Sequence, residues 1–166
     1  MDNVGSDSFK IRKIRKNDRQ EVARIFNYFA ANSYAVYSVE QKGERVFSVF
    51  FEKAIAFKGI ELDGKLIGFG LLQPYRQDSS FDHTAVLTYF IDPEYTGKGL
   101  GSRMLNTLIE SARKKGINCL LAHISSKNSQ SLAFHKRKGF ETCGRLSKIG
   151  KKFGEPFDVI WVQKSI

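Results

Sequence analysis

Residues 84–102 read TAVLTYFIDPEYTGKGLGS, and this stretch decides the fold. Its first part, Thr84–Ile91, is a dense β-branched and aromatic run that is typical of a buried strand. Three alternating glycines begin at Gly97 and lead directly into residues 100–115, where apolar side chains recur at helical spacing. Glycine lets a ligand approach the backbone closely, and free N–H groups at a helix start bind anions. The stretch therefore predicts a strand, a phosphate-binding turn and a helix in succession.

Two common nucleotide-binding motifs do not match this turn. A dinucleotide fingerprint starting at Gly97 needs glycine at its sixth position, where Ser102 stands, and an acidic residue further on that the next strand does not offer. The string of a P-loop is absent from the chain. A phosphate-rich ligand of another kind is the remaining expectation.

Outward from this stretch, periodicity predicts mixed helices and strands. Apolar residues at helical spacing predict helices over residues 19–32, 44–55 and 128–138. Alternating or apolar runs predict strands over residues 9–15, 56–62, 65–73, 118–124, 140–149 and 157–163. Asp63-Gly64 is a strong hairpin signal, so the two strands that flank it should be antiparallel. The order indicates an α/β (α+β) domain with a mixed, mostly antiparallel sheet between helices.

Composition bounds the class of protein. The chain has 166 residues, of which 42% are apolar, so it can bury the core of one domain. No apolar run approaches the ~18 residues of a membrane span. We expect residues 1–8 to be a flexible N-terminus and residues 9–166 to form a single domain. Two isolated cysteines, Cys119 and Cys143, indicate reduced thiols in a cytoplasmic protein and no zinc site.

The positive charge is concentrated in one half of the chain. Residues 94–166 carry 14 Lys and Arg against 5 Asp and Glu, whereas residues 1–93 carry 13 against 12. A net charge of +9 in the second half predicts that a polyanion binds there. Nucleic acid and a phosphate-rich cofactor are both candidates, but no basic helix carries interleaved base-reading residues, so nucleic acid is ranked last.

At this point the chain resembles the GNAT family of N-acetyltransferases, whose cofactor loop reads Arg/Gln-x-x-Gly-x-Gly/Ala. Residues 96–101 match that loop except that Thr96 replaces the Arg or Gln. Residues 89–93, together with Asn128, Ser131, His135 and the Gly139-Phe140 pair, look like the branch of phosphinothricin and L-amino acid N-acyltransferases. The likeness covers nearly the whole chain from Phe9.

The resemblance implies a GNAT fold with splayed middle strands and helices on both faces of the sheet. It also implies acetyl-CoA as cofactor, bound in the cleft between those strands. The backbone of Tyr89, Phe90 and Ile91 would line the pantetheine arm, and a strand N–H near Phe90 would stabilise the developing oxyanion. The pyrophosphate would lie on the turn, and the pantetheine arm would contact the predicted helix over residues 128–138. The residues implied for these two contacts are Gly97, Lys98, Gly99, Leu100, Gly101, Ser102, Asn128 and Ser131.

The resemblance also implies a proton donor for the thiolate and a general base for the amine, and this chain lacks the usual residue for the base. His135 stands where the family protonates the departing thiolate. Val86 stands where this branch carries the glutamate that is its proposed general base. Asp82 has the strand parity of Val86 and is our candidate base, acting through a water. His123 is predicted to be a satisfied core histidine.

The activity that follows is acetyl transfer to the primary amine of a small, amino acid-like molecule, by direct attack in a ternary complex. Tyr34, Tyr37, Tyr75 and Arg76 are the candidates for the substrate wall. Asp78 stands where the branch often has an arginine for the substrate carboxylate, which favours a cationic amine. A peptide or protein N-acetyltransferase and a CoA-binding protein with little catalysis are the alternatives. No nucleic acid, membrane or metal is expected, and the resemblance allows a homodimer.

Overall fold

The computed structural model describes residues 8–166, which form seven strands and four α-helices. The strands are β1 (Lys10–Lys13), β2 (Ala56–Leu62), β3 (Lys65–Pro74), β4 (Thr84–Ile91), β5 (Cys119–Ser125), β6 (Glu141–Lys152) and β7 (Glu155–Ser165). The α-helices are α1 (Arg19–Asn32), α2 (Gly43–Lys53), α3 (Leu100–Arg113) and α4 (Ser129–Arg137). Short 3₁₀ helices precede α1, β4 and α3. Apart from Ser8, the segment expected to be a flexible N-terminus lies outside the described residues.

The strands form one sheet in the order β1-β2-β3-β4-β5-β7-β6. Five of its neighbouring pairs are antiparallel, and β4 with β5 is the parallel pair among the described residues. The hairpin between β2 and β3 turns at Asp63 and Gly64, whose φ angles of 49° and 80° suit the type I′ turn that an Asp-Gly pair favours. The mixed, mostly antiparallel sheet is therefore confirmed.

The sheet opens between β4 and β5. Thr84–Val86 pair with residues 119–121, and the pairing stops there although both strands continue. β4 stays paired with β3 as far as Ile91, and β5 stays paired with β7 as far as Ser125. The carboxyl-terminal halves of β4 and β5 are thus splayed apart, which confirms the predicted gap in the middle of the sheet.

Helices cover both faces of the sheet. On one face, the apolar stripe of α3, which includes Met104 and Leu108, packs on β2, β3 and β4. Gly70 permits this close packing, because a Cβ atom there would lie 2.8 Å from the sulfur of Met104. On the other face, α1 and α2 bury a cluster that contains Phe26, Phe47 and Phe69. No helix in residues 8–166 has the length and apolar content needed to cross a membrane.

Candidate active site

Two cavities meet at the gap between β4 and β5. The larger has a volume of about 610 Å³ and extends to the glycine-rich turn before α3. The smaller, of about 370 Å³, lies under the loop between α1 and α2. We call them the turn cavity and the loop cavity. Their shared wall consists of Tyr34, Ala35, Tyr89, Phe90, Asn128, Ser131 and His135.

The turn cavity is built to receive an anion. Gly97 and Gly99 have φ angles of 77° and 75°, and a Cβ atom on either would meet nothing within 4 Å, so both face open space. α3 begins immediately afterwards, and no side chain caps its start. The first N–H groups of a helix have no acceptor within it, and they carry the positive end of the helix dipole. These amides are available to a phosphate group.

The charges around the turn cavity also favour the binding of an anion. Lys127 and Arg137 line it, and no Asp or Glu side chain does so among the described residues. Neither cation was predicted from the sequence, because the excess of basic residues after Glu94 does not reveal which of them face one cavity. Lys98, which was predicted to bind the cofactor, does not line the cavity; its Nζ lies over the rings of Phe9 and Tyr95.

The backbone of β4 presents polar groups to the gap. Asp92 N donates to Ile67 O of the segment that carries β3, whereas His83 O accepts from the start of β5. Because backbone direction alternates along a strand, the N–H groups of Tyr89 and Ile91 point into the gap and that of Phe90 points towards β3. The N–H group that was predicted near Phe90 as the oxyanion donor would therefore be that of Tyr89 or Ile91.

α4 aligns three of the predicted residues on one face. Asn128 caps the helix by accepting a hydrogen bond from Ser131 N at 3.2 Å. Its side-chain NH₂ has no partner within residues 8–166 and can donate to a ligand. His135 follows one turn after Ser131, and all three residues line both cavities.

His135 is buried and both of its ring nitrogens are engaged. Nδ1 lies 2.8 Å from Ser131 O, so it donates its proton there, and Nε2 lies 2.8 Å from Tyr89 Oη. Nε2 then accepts from the tyrosine hydroxyl. Burial lowers the pKa of His135 and raises the pKa of Tyr89, so both groups are neutral near pH 7. The hydroxyl proton of Tyr89 is held between the two side chains.

The loop cavity is aromatic and uncharged. No Asp, Glu, Lys or Arg side chain lines it among the described residues. Tyr37 Oη lies 2.8 Å from His123 Nδ1, and the His123 ring lies 4.9 Å from the ring of Trp161. His123 is exposed at the cavity wall, so its prediction as a satisfied core histidine is wrong. The alternation of β5 turns it to the face opposite Ala122, which is buried in the core.

Several predicted residues lie away from both cavities. Asp82 is exposed and precedes β4, which begins at Thr84, so the strand parity expected for Asp82 is wrong. The turn that contains it lies at the opposite end of β4 from the gap, because β4 pairs with β5 at Thr84–Val86 and separates from it afterwards. Tyr75 and Arg76 also lie outside the two linings; Tyr75 packs edge-on against Trp161.

The other predicted residues divide between the cavities. Tyr34 lines both and Tyr37 lines the loop cavity, and their role in the substrate wall stays a prediction. Both cysteines are free, and neither lines either cavity. In residues 8–166 no three His, Cys, Asp or Glu side chains lie close enough together to hold a metal ion.

The sheet opens between two parallel strands, beside an uncapped helix start and a neutral aromatic cavity. The model of the Acetyltransferase (GNAT) family matches residues 20–140. The chain is 29% identical over 157 residues to the L-amino acid N-acyltransferase MnaT of Escherichia coli, covering 92% of this chain and 91% of that protein. This chain belongs to the GNAT family of acetyltransferases.

Two further likenesses support the branch and the fold. Phosphinothricin N-acetyltransferase of Streptomyces coelicolor is 26% identical over 102 residues, which cover 61% of this chain and 60% of that enzyme. The structure of yncA from Salmonella typhimurium, solved with its cofactor acetyl-CoA, superposes with a TM-score of 0.84 over 95% of this chain and 93% of that one. At 24% identity the yncA structure shows the fold alone. The chain is thus an N-acetyltransferase similar to the phosphinothricin and L-amino acid branch.

Proposed function

We propose that this chain transfers the acetyl group of acetyl-CoA to the primary amine of a small molecule bound in the loop cavity. The observation that carries the proposal is the meeting of two chemically different cavities at one gap in the sheet. One offers helix amides and two cations, and the other offers an uncharged aromatic pocket. A phosphorylated donor and a small amine could thus be held side by side, which supplies much of the rate of a transfer between two molecules.

The turn cavity fits acetyl-CoA. The amides of residues 99–102, Lys127 and Arg137 would hold its phosphates, and Asn128 Nδ2 would donate to the pantetheine arm. When bound, acetyl-CoA supplies the acetyl group as an activated thioester. The N–H groups of Tyr89 and Ile91, which point into the gap, would donate to the acyl oxygen.

The pair of Tyr89 and His135 would hold the proton that a leaving thiolate requires. His135 was predicted to supply this proton directly, but its Nε2 faces the Tyr89 hydroxyl and not open space. The hydroxyl is the proton source of this pair, because Nδ1–H of His135 is donated to Ser131 O. Its single proton points at Nε2, so the O–H would turn from Nε2 to the sulfur to protonate the thiolate, and Tyr89 would then regain a proton from water. Both residues lie on the wall that the two cavities share.

The acceptor that we propose is an amino acid-like amine. The names of the relatives support this class, since MnaT is called an L-amino acid N-acyltransferase and the Streptomyces enzyme acetylates phosphinothricin. The loop cavity, at about 370 Å³, is small enough to select a small molecule. We place the enzyme in the cytoplasm and treat residues 9–166 as one domain; a homodimer stays a prediction.

A thermal-shift screen separates this function from its alternatives. We expect acetyl-CoA and free CoA to raise the melting temperature by an amount that grows with the logarithm of their concentration above Kd, and duplex DNA to leave it unchanged. An amine added to the CoA complex should raise it further, because the loop cavity accepts the amine beside the bound cofactor. Stabilisation by DNA but not by CoA would overturn the proposal.

A further inference from the structure

The loop cavity needs a group that removes a proton from the amine. A primary amine is mostly ammonium near pH 7, and its lone pair must be free before it can attack. Val86 carries no proton acceptor, and Asp82 lies beyond the far end of β4. The titratable side chains that line the loop cavity are Tyr34, Tyr37, Tyr89, His123 and His135.

We propose that His123 is the general base of this enzyme, accepting the amine proton on Nε2, and that Tyr37 is the residue that positions it. This inference rests on the proposed function, because it assigns a role within the same reaction. Of the five titratable groups only the two histidines have ordinary pKa values near neutrality. His135 has both ring nitrogens engaged by Tyr89 and Ser131, which leaves His123.

The surroundings of His123 orient its ring towards the loop cavity. The residue lies on β5 opposite Trp161 of β7, and its ring contacts those of Trp161 at 4.9 Å and Tyr37 at 5.5 Å, tilted by 55° and 35° respectively. Nδ1 lies 2.8 Å from Tyr37 Oη, whereas Nε2 has no partner within residues 8–166. One nitrogen therefore fixes the ring, and the other can meet a ligand.

The hydrogen bond to Tyr37 is compatible with the tautomer that a base requires, because a phenol oxygen can accept as well as donate. When Nδ1–H donates to Tyr37 Oη, the lone pair of Nε2 is free to accept a proton. Burial raises the pKa of Tyr37 to about 12, so Tyr37 remains a phenol and serves only as a partner. Part of the His123 side chain remains exposed to solvent. Desolvation of its ring lowers the pKa of His123, so the imidazole is neutral near pH 7.

The proton transfer balances without any further reactant. The N–H bond of the ammonium breaks and leaves its electron pair on the amine nitrogen, while the Nε2 lone pair forms the new N–H bond. His123 becomes an imidazolium, with Nδ1–H still donated to Tyr37. Because the residue is exposed, it then releases the proton to water. The charged form has no acidic partner among the residues that line the cavity, which favours this release.

The test compares His123→Gln with His83→Gln, a control at an exposed histidine outside both cavities. We expect His123→Gln to lower kcat/KM for the amine by roughly 10²–10⁴-fold, and His83→Gln to change it less than about threefold. Acetyl-CoA affinity, measured by calorimetry, should stay within about threefold in both, because His123 does not line the turn cavity. Tyr37→Phe should lower kcat/KM less than His123→Gln does and change the pKa read from the rate profile.

The pH profile provides a second readout that does not depend on a variant. In the wild type, kcat/KM should fall as the pH drops through the pKa of His123, below its usual value of about 6.5. This limb should be absent in His123→Gln, whose rate should rise at higher pH as free amine accumulates. A His123→Gln enzyme within threefold of wild type from about pH 5 to 9 would overturn the role of His123. If the wild type itself acetylates no amine, the proposed function fails, and this role fails with it.

Discussion

At the residue scale, Tyr89 and His135 show how a single hydrogen bond changes a predicted role. The helical spacing of α4 was enough to place His135 beside Asn128 and Ser131 on one face, and the structure brings all three to the gap. The spacing could not show that a tyrosine from β4 occupies Nε2 at 2.8 Å. The two side chains therefore form one unit. Removing either of them should disrupt the delivery of the same proton, that of the Tyr89 hydroxyl.

Replacing either residue by phenylalanine tests this unit. We expect Tyr89→Phe and His135→Phe each to lower kcat by roughly 10²-fold, and the double variant to be no slower than the single ones. The Kd of acetyl-CoA should change little, since neither variant alters the glycine-rich turn or its cations. Steady-state kinetics and calorimetry measure both quantities. A His135→Phe enzyme with full kcat would remove the residue from the proton path, and additive losses would mean that the two residues act separately.

The positions of four other side chains of the site could not be predicted, because tertiary structure and not local sequence determines them. Tyr37 and His123 are far apart in the sequence, and only the fold brings their side chains within hydrogen-bond distance. Lys127 precedes α4 and Arg137 is its last residue, in a half of the chain that is basic throughout. The glycine-rich turn was predictable because its function depends on local backbone, whereas these side chains depend on tertiary orientation.

At the element scale, the turn before α3 offers a matched pair of glycines. Gly99 and Gly116 have φ angles of 75° and 74°, and a Cβ atom on either would meet nothing within 4 Å. Alanine should therefore destabilise both sites alike, by about 1 kcal/mol. Gly99 lines the turn cavity and Gly116 does not.

We accordingly expect Gly99→Ala to weaken acetyl-CoA binding by about tenfold or more, and Gly116→Ala to leave it unchanged. Gly101→Val should weaken it as well, because its side chain would stand beside the same amides. Calorimetry gives the dissociation constants, and thermal melting confirms that the two alanine variants are equally stable. Equal affinity in the two alanine variants would show that the turn does not hold the phosphates.

The loop between α1 and α2 is attached to the β6–β7 hairpin by a buried lysine. Lys152 Nζ donates to Ser33 O at 2.5 Å and to Val36 O at 2.6 Å. Desolvation lowers the pKa of Lys152, but its two carbonyl partners hold it in place. This contact positions Tyr34 and Tyr37, which belong to the same loop and line the loop cavity.

Lys152→Met should detach this loop. We expect a loss of roughly 2–3 kcal/mol in the free energy of unfolding, because two buried carbonyls lose their donor. The KM for the amine should rise more than kcat falls. Lys151→Met, at the exposed neighbouring residue of β6, is the control and should change neither quantity. Urea unfolding and amine kinetics measure the two effects, and a Lys152→Met enzyme with unchanged amine KM would contradict the role given to the loop.

Most elements were predictable because their patterns are local. β4 begins and ends where its apolar run does, and α1 has the predicted ends. β6 extends to Lys152, three residues beyond its predicted end, because the hairpin turns at Phe153 and Gly154. Phe153 adopts a φ of 52°, which a phenylalanine rarely does, so no turn signal was visible there.

At the scale of the whole molecule, the fold separates a charged binding region from a neutral one. The glycine-rich turn and the two cations that line its cavity belong to the basic second half of the chain. The loop cavity combines the α1–α2 loop of the first half with β5 of the second. The two cavities share a wall at the gap between β4 and β5, which is where we propose that the transfer occurs.

The most direct measurement of this claim is the release of CoA thiol when the enzyme is mixed with acetyl-CoA and a panel of small primary amines that includes free amino acids. The account predicts thiol release that depends on the amine, saturates with it and is matched mole for mole by acetylated product. Tight binding of acetyl-CoA without release above the uncatalysed rate for any amine would contradict it, and would leave a CoA-binding protein in place of a transferase.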